Sequence, residues 1–300
     1  MNAGFRCGYI ALVGKPNTGK STLMNALVGE KLSITAHRPQ TTRHQILGIK
    51  TTEAYQCIFV DTPGMHDSRH KVIHRYMNRA AANMLKDSDL NCVLIEVNHF
   101  TRHDMKILNR VADYPNRLVV LNKIDQVSRH ACLPVMQQIA EHLPNTDIIP
   151  ISAQTGENLD QLEALMVSRL PQAIARFPDD QLTDKSMRFI AAEAVREKLF
   201  RELSQELPYS ITVNVDHYVE EVDVIRISAT IWVERESQKS IVIGRGGKVL
   251  KKIGTLARGD LERLTGTQVY LQLWVKVRED WSDDEQSLAA FGYADVVQGQ

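Results

Sequence analysis

The sequence lacks any apolar run close to the roughly 18 residues that a membrane-spanning helix needs, so we expect no integral membrane protein. It also begins without the apolar core and cleavage site of a signal peptide, and position 2 is not the glycine that myristoylation requires. Cysteine is scarce, and Cys7, Cys57, Cys92 and Cys132 form no CxxC pair. We therefore expect buried, unpaired thiols in a cytoplasmic protein, because nothing in the sequence points to secretion.

The chain as a whole also lacks an excess of charge, since 36 Lys and Arg balance 36 Asp and Glu. The charge is nevertheless uneven. Residues 235–263 hold eight basic and three acidic residues, whereas residues 279–300 hold six acidic and no basic ones. The neutral total therefore does not exclude binding of a polyanion, and the basic segment is where such binding could occur. The acidic tail, with Asp280, Asp283, Asp284 and Glu285, either lies away from that polyanion or weakens its binding by repulsion.

The length of 300 residues suits two domains, and the hydrophobic pattern changes near residue 172. Before it, strand-like runs alternate with helix-length segments, which predicts an α/β domain with a six-stranded, mostly parallel sheet. The runs 45–50 and 57–60 are so close in sequence that one strand should run antiparallel at the sheet edge. We assign residues 1–172 to this domain and 173–184 to a linker. The predicted strands are 9–13, 45–50, 57–60, 92–97, 118–121 and 148–151, and the predicted helices are 21–28, 71–86, 104–112, 133–142 and 159–170.

Residues 185–300 predict a second, α+β domain. The expected order is a helix at 185–206, strands at 210–217 and 224–234, a glycine-rich turn, a helix at 248–264, a strand at 268–277 and a helix at 282–293.

A glycine-rich segment that matches G-x-x-x-x-G-K-[ST] follows the first predicted strand. In this pattern, backbone N–H groups and the start of the next helix face phosphate oxygens. The Lys20 ammonium neutralises the β- and γ-phosphates, and the Ser21 hydroxyl binds Mg²⁺. The predicted phosphate-binding residues are Gly14, Lys15, Pro16, Asn17, Thr18, Gly19, Lys20, Ser21 and Thr22.

Three further segments stand at predicted strand ends. The run Asp61-Thr62-Pro63-Gly64 offers a carboxylate for the water shell of the metal and a Gly64 N–H for the γ-phosphate. The run Asn122-Lys123-Ile124-Asp125 offers a carboxylate that accepts the guanine N1 and 2-amino protons, which adenine lacks. The N–H groups of Ser152 and Ala153 are expected at guanine O6. These segments predict GTP binding.

The four segments together resemble Ras-like GTPases of the translation-factor class, in the bacterial Era-type branch. The resemblance implies a switch I threonine that contacts Mg²⁺ and the γ-phosphate, which we assign to Thr42 with Thr41 as the alternative. It gives Ser21, Thr42 and Asp61 as the metal-binding residues. The predicted catalytic residues are Lys20, Thr42, Gly64 and Asn17.

The segment after Gly64 departs from the Ras pattern, because Met65 stands where Ras-like proteins orient water with a glutamine. Hydrolysis is therefore expected to be slow unless another device assists it. Asn17 resembles the P-loop asparagine that helps related GTPases bind an activating K⁺; the alternative is that it stabilises the loop turn. The spacing of His66, His70 and His74 would place them on one helix face, as in a metal site. An exposed switch segment with no carboxylate fixed opposite it nevertheless favours solvated side chains over a zinc site.

The basic segment contains Gly244-Arg245-Gly246-Gly247, which resembles the GxxG loop of type II KH domains. Such loops approach single-stranded RNA closely, and nearby basic side chains neutralise its phosphates. The predicted RNA-binding residues are Gly244, Arg245, Gly246, Gly247, Lys248, Lys251, Lys252 and Arg258. The floor of the groove is either formed by Ile241, Val242, Ile243, Val249 and Ile253, or these residues belong to the core, which is favoured for each of them.

A GTPase domain, a short linker and one type II KH domain resemble the Era family over nearly the whole chain. The resemblance implies a monomeric GTP-hydrolysing switch that binds the single-stranded 3′ region of small-subunit ribosomal RNA and acts in assembly of the small ribosomal subunit. It also implies peripheral association with the inner face of the cell membrane. The alternative is an RNA-binding scaffold whose GTPase domain senses GTP and GDP with little turnover.

Overall fold

A computed structural model of the chain describes residues 4–36, 41–64, 72–203 and 207–293, apart from the side chains at 74, 76 and 80. The chain divides into two compact units between Asp184 and Lys185, and residues 72–76 group with the second unit. The predictions for Met65, for His66 and His70 and for the His74 side chain lie outside the described residues. No described helix is long and apolar enough to cross a membrane.

The first unit is built on a six-stranded sheet with the strand order β2-β3-β1-β4-β5-β6. Only β2 runs antiparallel, paired with β3 at the sheet edge, so the predicted mostly parallel sheet is confirmed. The strands are β1 (Arg6–Gly14), β2 (Ile46–Thr51), β3 (Tyr55–Asp61), β4 (Leu90–Glu96), β5 (Arg117–Asn122) and β6 (Asp147–Pro150). The helices are α1 (Lys20–Val28), α2 (Val72–Asp87), α3 (Arg102–Val111), α4 (Arg129–His142) and α5 (Leu159–Arg169).

The central strands are apolar on both faces, because helices cover both sides of the sheet. All four cysteine thiols are buried and unpaired, as expected from the sequence. The parallel strands β1, β3, β5 and β6 all end at one edge of the sheet, where loops carry the predicted nucleotide-binding residues. This is the usual place for ligands in open α/β sheets.

The segment predicted as a linker packs against the first unit. The buried Gln56 side chain of β3 accepts hydrogen bonds from the Arg176 and Phe177 N–H groups, at 2.8 and 3.0 Å, and donates to the Phe177 carbonyl. Further along, the Leu182 carbonyl accepts from the Ile49 N–H of β2 at 2.8 Å. Residues 176–182 are therefore held by β3 and by the edge strand that follows switch I.

The second unit contains a three-stranded sheet with the order β7-β8-β9, antiparallel between β7 and β8 and parallel between β8 and β9. Its helices pack against one another and the sheet around two apolar clusters. Its strands are β7 (Thr212–Glu220), β8 (Val224–Val233) and β9 (Gln268–Val277), and its helices are α6 (Met187–Glu202), α7 (Glu236–Ile243), α8 (Lys248–Thr265) and α9 (Glu285–Ala290).

Helix α7 corrects the prediction, which placed only a glycine-rich turn between β8 and α8. The helix has eight residues, too few for the apolar periodicity to separate it from the glycine loop that follows. At its start, the Gln238 side chain accepts hydrogen bonds from the Glu234 and Arg235 N–H groups. The helix ends at Ile243, and Gly244 follows it as the C-cap. Helix α9 is shorter than predicted, because the buried Trp281 before it packs against Phe291 and Tyr293 after it.

The Gln56 contacts give a testable prediction for stability. Replacing Gln56 with Leu keeps much of the volume but leaves the Arg176 and Phe177 N–H groups without their acceptor. We expect the free energy of unfolding of the first unit to fall by about 2 kcal/mol, because each of the two part-buried groups costs about 1 kcal/mol, the lower end of the range for an unsatisfied buried group.

Urea unfolding followed by circular dichroism measures this loss. All three tryptophans, Trp232, Trp274 and Trp281, lie in the second unit, so their fluorescence should report an unchanged transition. The exposed Gln137→Leu variant is the matched control, and an equal loss in both variants would contradict the assignment.

Candidate GTP site and RNA-binding groove

The loop between β1 and α1 is shaped by glycine. Gly19 has a φ of 99°, and a Cβ placed on it would lie 2.2 Å from the Asn122 Nδ2 atom. The Thr18 hydroxyl donates to the Lys15 carbonyl at 3.0 Å, which closes the turn. Asn17 is exposed and also has a positive φ of 66°, a conformation that asparagine tolerates better than most residues. This geometry accounts for Asn17 as a turn residue and leaves its K⁺ role as a prediction.

The Lys20 side chain is buried and lies across this loop. Its ammonium donates to the Lys15 carbonyl at 2.7 Å and to the Gly14 carbonyl at 3.2 Å. Burial lowers the pKa of Lys20 to about 8, although the nearby Asp61 carboxylate acts in the opposite direction. A phosphate group placed at the loop would give this ammonium a charged partner in place of neutral carbonyls.

The three residues predicted for the metal, Ser21, Thr42 and Asp61, meet at one point. The Ser21 hydroxyl donates to Asp61 Oδ2 at 2.6 Å, and its oxygen lies 2.8 Å from Thr42 Oγ1. Thr42 Oγ1 also lies 3.4 Å from Asp61 Oδ2. The structure thus brings Thr42, our preferred switch I residue, to the metal-binding groups.

The Asp61 carboxylate fits a role beside Mg²⁺. Burial raises its pKa, while hydrogen bonds from Ser21, Ser33 and Thr42 and the charge of Lys20 lower it. Its Oδ1 atom is buried and has no hydrogen-bond partner among the described residues. An oxygen-only set with one unsatisfied carboxylate oxygen suits a hard cation that keeps part of its water shell.

Gly64 lies against the phosphate loop, as its predicted role requires. A Cβ on Gly64 would lie 2.7 Å from the Pro16 backbone nitrogen, so only glycine allows this approach. The preceding segment is fixed by the Thr62 hydroxyl, which donates to the Leu12 carbonyl at 2.9 Å.

The predicted guanine-binding residues lie together and are joined by hydrogen bonds. The Asn122 amide donates to the Thr18 carbonyl at 2.8 Å, which ties this loop to the phosphate loop. The Ser152 hydroxyl donates to Asp125 Oδ1 at 2.6 Å and orients this exposed carboxylate. The Ala153 N–H, predicted to face guanine O6, donates instead to Asn122 Oδ1 at 3.0 Å.

The Ser152 N–H, predicted for the same oxygen, likewise donates to the Glu157 carbonyl. Both N–H groups help to close the loop, and their contact with guanine O6 stays a prediction, as does recognition of the base by the Asp125 carboxylate.

Two ion pairs at the site were missed from the sequence. The Lys15 ammonium lies 2.7 Å from the buried Asp104 carboxylate at the start of α3, and Lys123 lies 2.8 Å from Glu96. Both lysines stand inside recognised motifs, but their partners are distant in the sequence. No sequence pattern indicates such pairs, because the approach of separate elements creates them.

In the second unit, the GxxG loop is open to solvent. Gly246 and Gly247 have φ values of 59° and 76°, and a Cβ on either would meet no atom within 4 Å. Arg245, Lys248 and Lys251 are exposed around this loop. Beside it lies a groove of about 390 Å³ between α8 and β9, whose lining includes Gly247, Leu250, Lys251, Gly254, Arg258, Tyr270, Leu271 and Leu273.

The groove floor differs from the residues considered in the sequence. Val242 and Ile253 are fully buried in the core, whereas Ile241 is exposed. The apolar lining comes instead from Leu250 of α8 and from Leu271 and Leu273 of β9, since β9 forms the edge of the sheet beside the loop.

The predicted basic residues differ in their charge environment. Lys252 pairs with Glu202 at 2.5 Å, and Arg258 lies 3.8 Å from Glu262. These carboxylates reduce the charge that Lys252 and Arg258 offer to a phosphate, although Arg258 lines the groove. The positive field at the GxxG loop therefore comes mainly from Arg245, Lys248 and Lys251.

Family models match both units of the chain. A model described as a 50S ribosome-binding GTPase matches residues 9–123, and a KH domain model matches residues 206–282. The fold and the site together define a Ras-like GTPase with a C-terminal KH domain.

Similar proteins place the chain further within this class. It is 49% identical to a GTPase Era of Pseudomonas aeruginosa (strain LESB58) over 98% of this chain and 97% of that protein. A GTPase Era of Pseudomonas putida (strain W619) is 49% identical over 97% of this chain and 98% of its own length. The chain belongs to the Era family of GTPases.

Two solved structures agree over almost the full length. One is Era in complex with MgGDPNP and nucleotides 1506–1542 of 16S ribosomal RNA, with a TM-score of 0.93, 38% identity and coverage of 96% of this chain and 99% of that chain. The other is an Aquifex aeolicus Era variant bound to GDP·AlF4⁻, with a TM-score of 0.92, 37% identity and the same two coverages.

The guanine site predicts a switch of base preference. Replacing Asp125 with Asn exchanges an acceptor of the guanine 2-amino group for an amide that can donate to the carbonyl of xanthine. We expect GTP affinity to fall about 10- to 100-fold, because a hydrogen bond to a charged group contributes about 1.5 to 3 kcal/mol. Xanthosine triphosphate should then bind better than GTP. Competition of both nucleotides against fluorescent GDP measures this. Asp113→Asn, at an exposed position in the α3–β5 connection, is the control, and an unchanged preference in Asp125→Asn would remove that carboxylate from the base site.

The lowered pKa of Lys20 predicts proton uptake on nucleotide binding. With a pKa of about 8, Lys20 should be about half deprotonated near pH 8 when no phosphate is bound, and a bound phosphate should raise its pKa again. GDP binding should therefore take up about half a proton at pH 8, and affinity should fall as pH rises above that value. Calorimetry in two buffers of different ionisation enthalpy measures the uptake. Equal heats at pH 8 would show that Lys20 is already fully charged.

Proposed function

We propose that this protein is a GTP-hydrolysing switch that binds the 3′ region of small-subunit ribosomal RNA through its KH domain and acts in assembly and maturation of the small ribosomal subunit. The observation that carries the proposal is the open GxxG loop beside an apolar groove in a chain that also carries a full set of GTP-site residues. The related Era protein solved with 16S ribosomal RNA supports the choice of RNA.

The groove suits single-stranded RNA. Its apolar lining of Leu250, Leu271 and Leu273 offers a surface for unpaired bases, and the glycines allow close approach of the RNA backbone. The exposed Arg245, Lys248 and Lys251 side chains stand where they can neutralise phosphates. Double-stranded RNA would not place its bases in so narrow a groove.

The GTPase chemistry rests on the residues around Asp61. When bound, Mg²⁺ neutralises the charge of the phosphates and positions the γ-phosphate. Ser21 and Thr42 would bind that ion, and Asp61 would hold its water shell through Oδ1. Lys20 would neutralise the phosphates, and the Gly64 N–H would sense the γ-phosphate beside Pro16.

The rate and its activator are part of the proposal. The chain has Met65 in place of the glutamine of Ras-like proteins, which favours slow intrinsic hydrolysis. Asn17, exposed on the phosphate loop, would help to bind an activating K⁺. We expect GTP to be hydrolysed faster in KCl than in NaCl. In Asn17→Ala, the rates in the two salts should be equal. This result also separates the switch from a scaffold that merely senses the nucleotide, which would show little turnover in either salt.

The proposal further includes a monomer in the cytoplasm with peripheral contact at the inner face of the membrane. These points rest on the family resemblance alone.

The first test is the affinity of a single-stranded oligonucleotide with the sequence of the 3′ end of small-subunit ribosomal RNA. The protein is held in turn by GDP and by a non-hydrolysable GTP analogue. We expect tighter binding with the analogue, and by linkage the RNA should then favour the GTP state by the same factor. Equal affinity in both states would contradict a GTP-controlled switch.

The GxxG loop gives a mutational prediction. Gly246→Asp places a carboxylate where RNA phosphate approaches, so we expect RNA affinity to fall at least about 10-fold, equivalent to about 1.4 kcal/mol, with GTP hydrolysis nearly unchanged. The control is Gly266→Asp at the far end of α8, because Gly266 has a similar φ of 66° and equally open space around its Cβ position. Equal losses in the two variants would point to backbone strain rather than repulsion of phosphate.

A further inference from the structure

Ser33 lies in the segment after α1 and makes a contact that the family motifs do not explain. It is 1% exposed, and its hydroxyl donates to Asp61 Oδ2 at 2.8 Å. The same oxygen receives the Ser21 hydroxyl at 2.6 Å and lies 3.4 Å from Thr42 Oγ1. Asp61 Oδ2 is thus surrounded by hydroxyl groups, whereas Oδ1 has no partner among the described residues.

Of these three hydroxyl groups, Ser33 differs in one respect. Ser21 and Thr42 are themselves candidate metal ligands, so their positions depend on whether the ion is bound. Ser33 is the third hydroxyl group that contacts Asp61 Oδ2 within the described part of the chain, and it is not a candidate ligand of the ion.

The backbone of Ser33 is held by Asn25 of α1. Asn25 Oδ1 accepts the Leu32 and Ser33 N–H groups at 3.0 and 2.9 Å, and its Nδ2 donates to the Ser33 carbonyl at 2.7 Å. Asn25 stands four residues after Ser21, so both lie on one face of α1. One helix therefore presents Ser21 to the metal site and also holds Ser33 against Asp61.

We propose that Ser33, fixed by Asn25, is a positioning residue for the metal: it sets the rotation of the Asp61 carboxylate so that Oδ1 faces the water shell of Mg²⁺. Ser33 precedes the switch I segment and Thr42 follows later in it, and both contact the same oxygen, Asp61 Oδ2. Hydrogen bonds that orient a metal-binding carboxylate from outside the coordination sphere affect metal affinity about 10- to 100-fold. The inference rests on the GTPase site and does not depend on RNA binding.

The test uses Ser33→Ala in the full chain loaded with N-methylanthraniloyl GDP. Release of this probe is measured across a Mg²⁺ titration and again in excess EDTA. We expect the Mg²⁺ concentration for half-maximal slowing of release to rise about 10-fold, because an outer hydrogen bond of the metal site is lost. In excess EDTA, the release rate of Ser33→Ala should match that of the protein with Ser33. Faster release in EDTA as well would show a general structural role and overturn the proposal.

Further variants separate positioning from loss of folding. Ser33→Thr keeps the hydroxyl, so its Mg²⁺ concentration for half-maximal slowing of release should equal that of the protein with Ser33. Asn25→Ala should raise this Mg²⁺ concentration, as Ser33→Ala does. Ser88→Ala removes a partly buried hydroxyl that bonds to Asn91 and should change nothing. An unchanged Mg²⁺ titration in a folded Ser33→Ala protein would contradict the assignment.

A double-mutant cycle with Asp61→Asn tests the route of the effect. If Ser33 acts through the Asp61 carboxylate, Ser33→Ala should have little further effect on the Mg²⁺ requirement once that carboxylate is gone. Fully additive effects would show that Ser33 acts through another group and would overturn the proposal.

Discussion

The buried carboxylate of Asp61 is the interaction on which the GTP site depends. A charged group without access to water is costly unless nearby donors and cations stabilise it. Here Lys20 supplies a charge, and hydroxyl groups of α1, of the segment after it and of switch I surround Oδ2. Because these groups come from separate parts of the chain, stabilising the carboxylate also draws the loops of the site together.

Two amide side chains, Asn122 and Gln56, join further segments of the first unit by hydrogen bonds. Asn122 joins the loop after β5 to the phosphate loop and to the loop after β6, and Gln56 joins β3 to the segment before Asp184. Each uses both its donor and its acceptor in a buried setting. These loops are thus held by a few polar residues whose partners are mostly backbone groups.

The packing of residues 176–182 has a consequence for the proposed switch. Strand β2 begins four residues after Thr42, and its Ile49 N–H bonds to the Leu182 carbonyl. The chain reaches the second unit only three residues later, at Lys185. A displacement of switch I and β2 on loss of the γ-phosphate would therefore act on the backbone that leads directly into the KH domain.

The sequence by itself determined the fold class, the order of most elements and the residue types at the phosphate, metal and base positions. These features follow from local rules: strand and helix periodicity, glycine at positive φ, and the carboxylate, hydroxyl and ammonium groups that phosphate and Mg²⁺ require. Helix α7 was missed because eight residues carry too little periodicity. Only the tertiary structure decided that Ser33 reaches Asp61, that the Ala153 N–H is used by Asn122 and that Leu271 and Leu273 line the groove, since each contact joins distant parts of the chain.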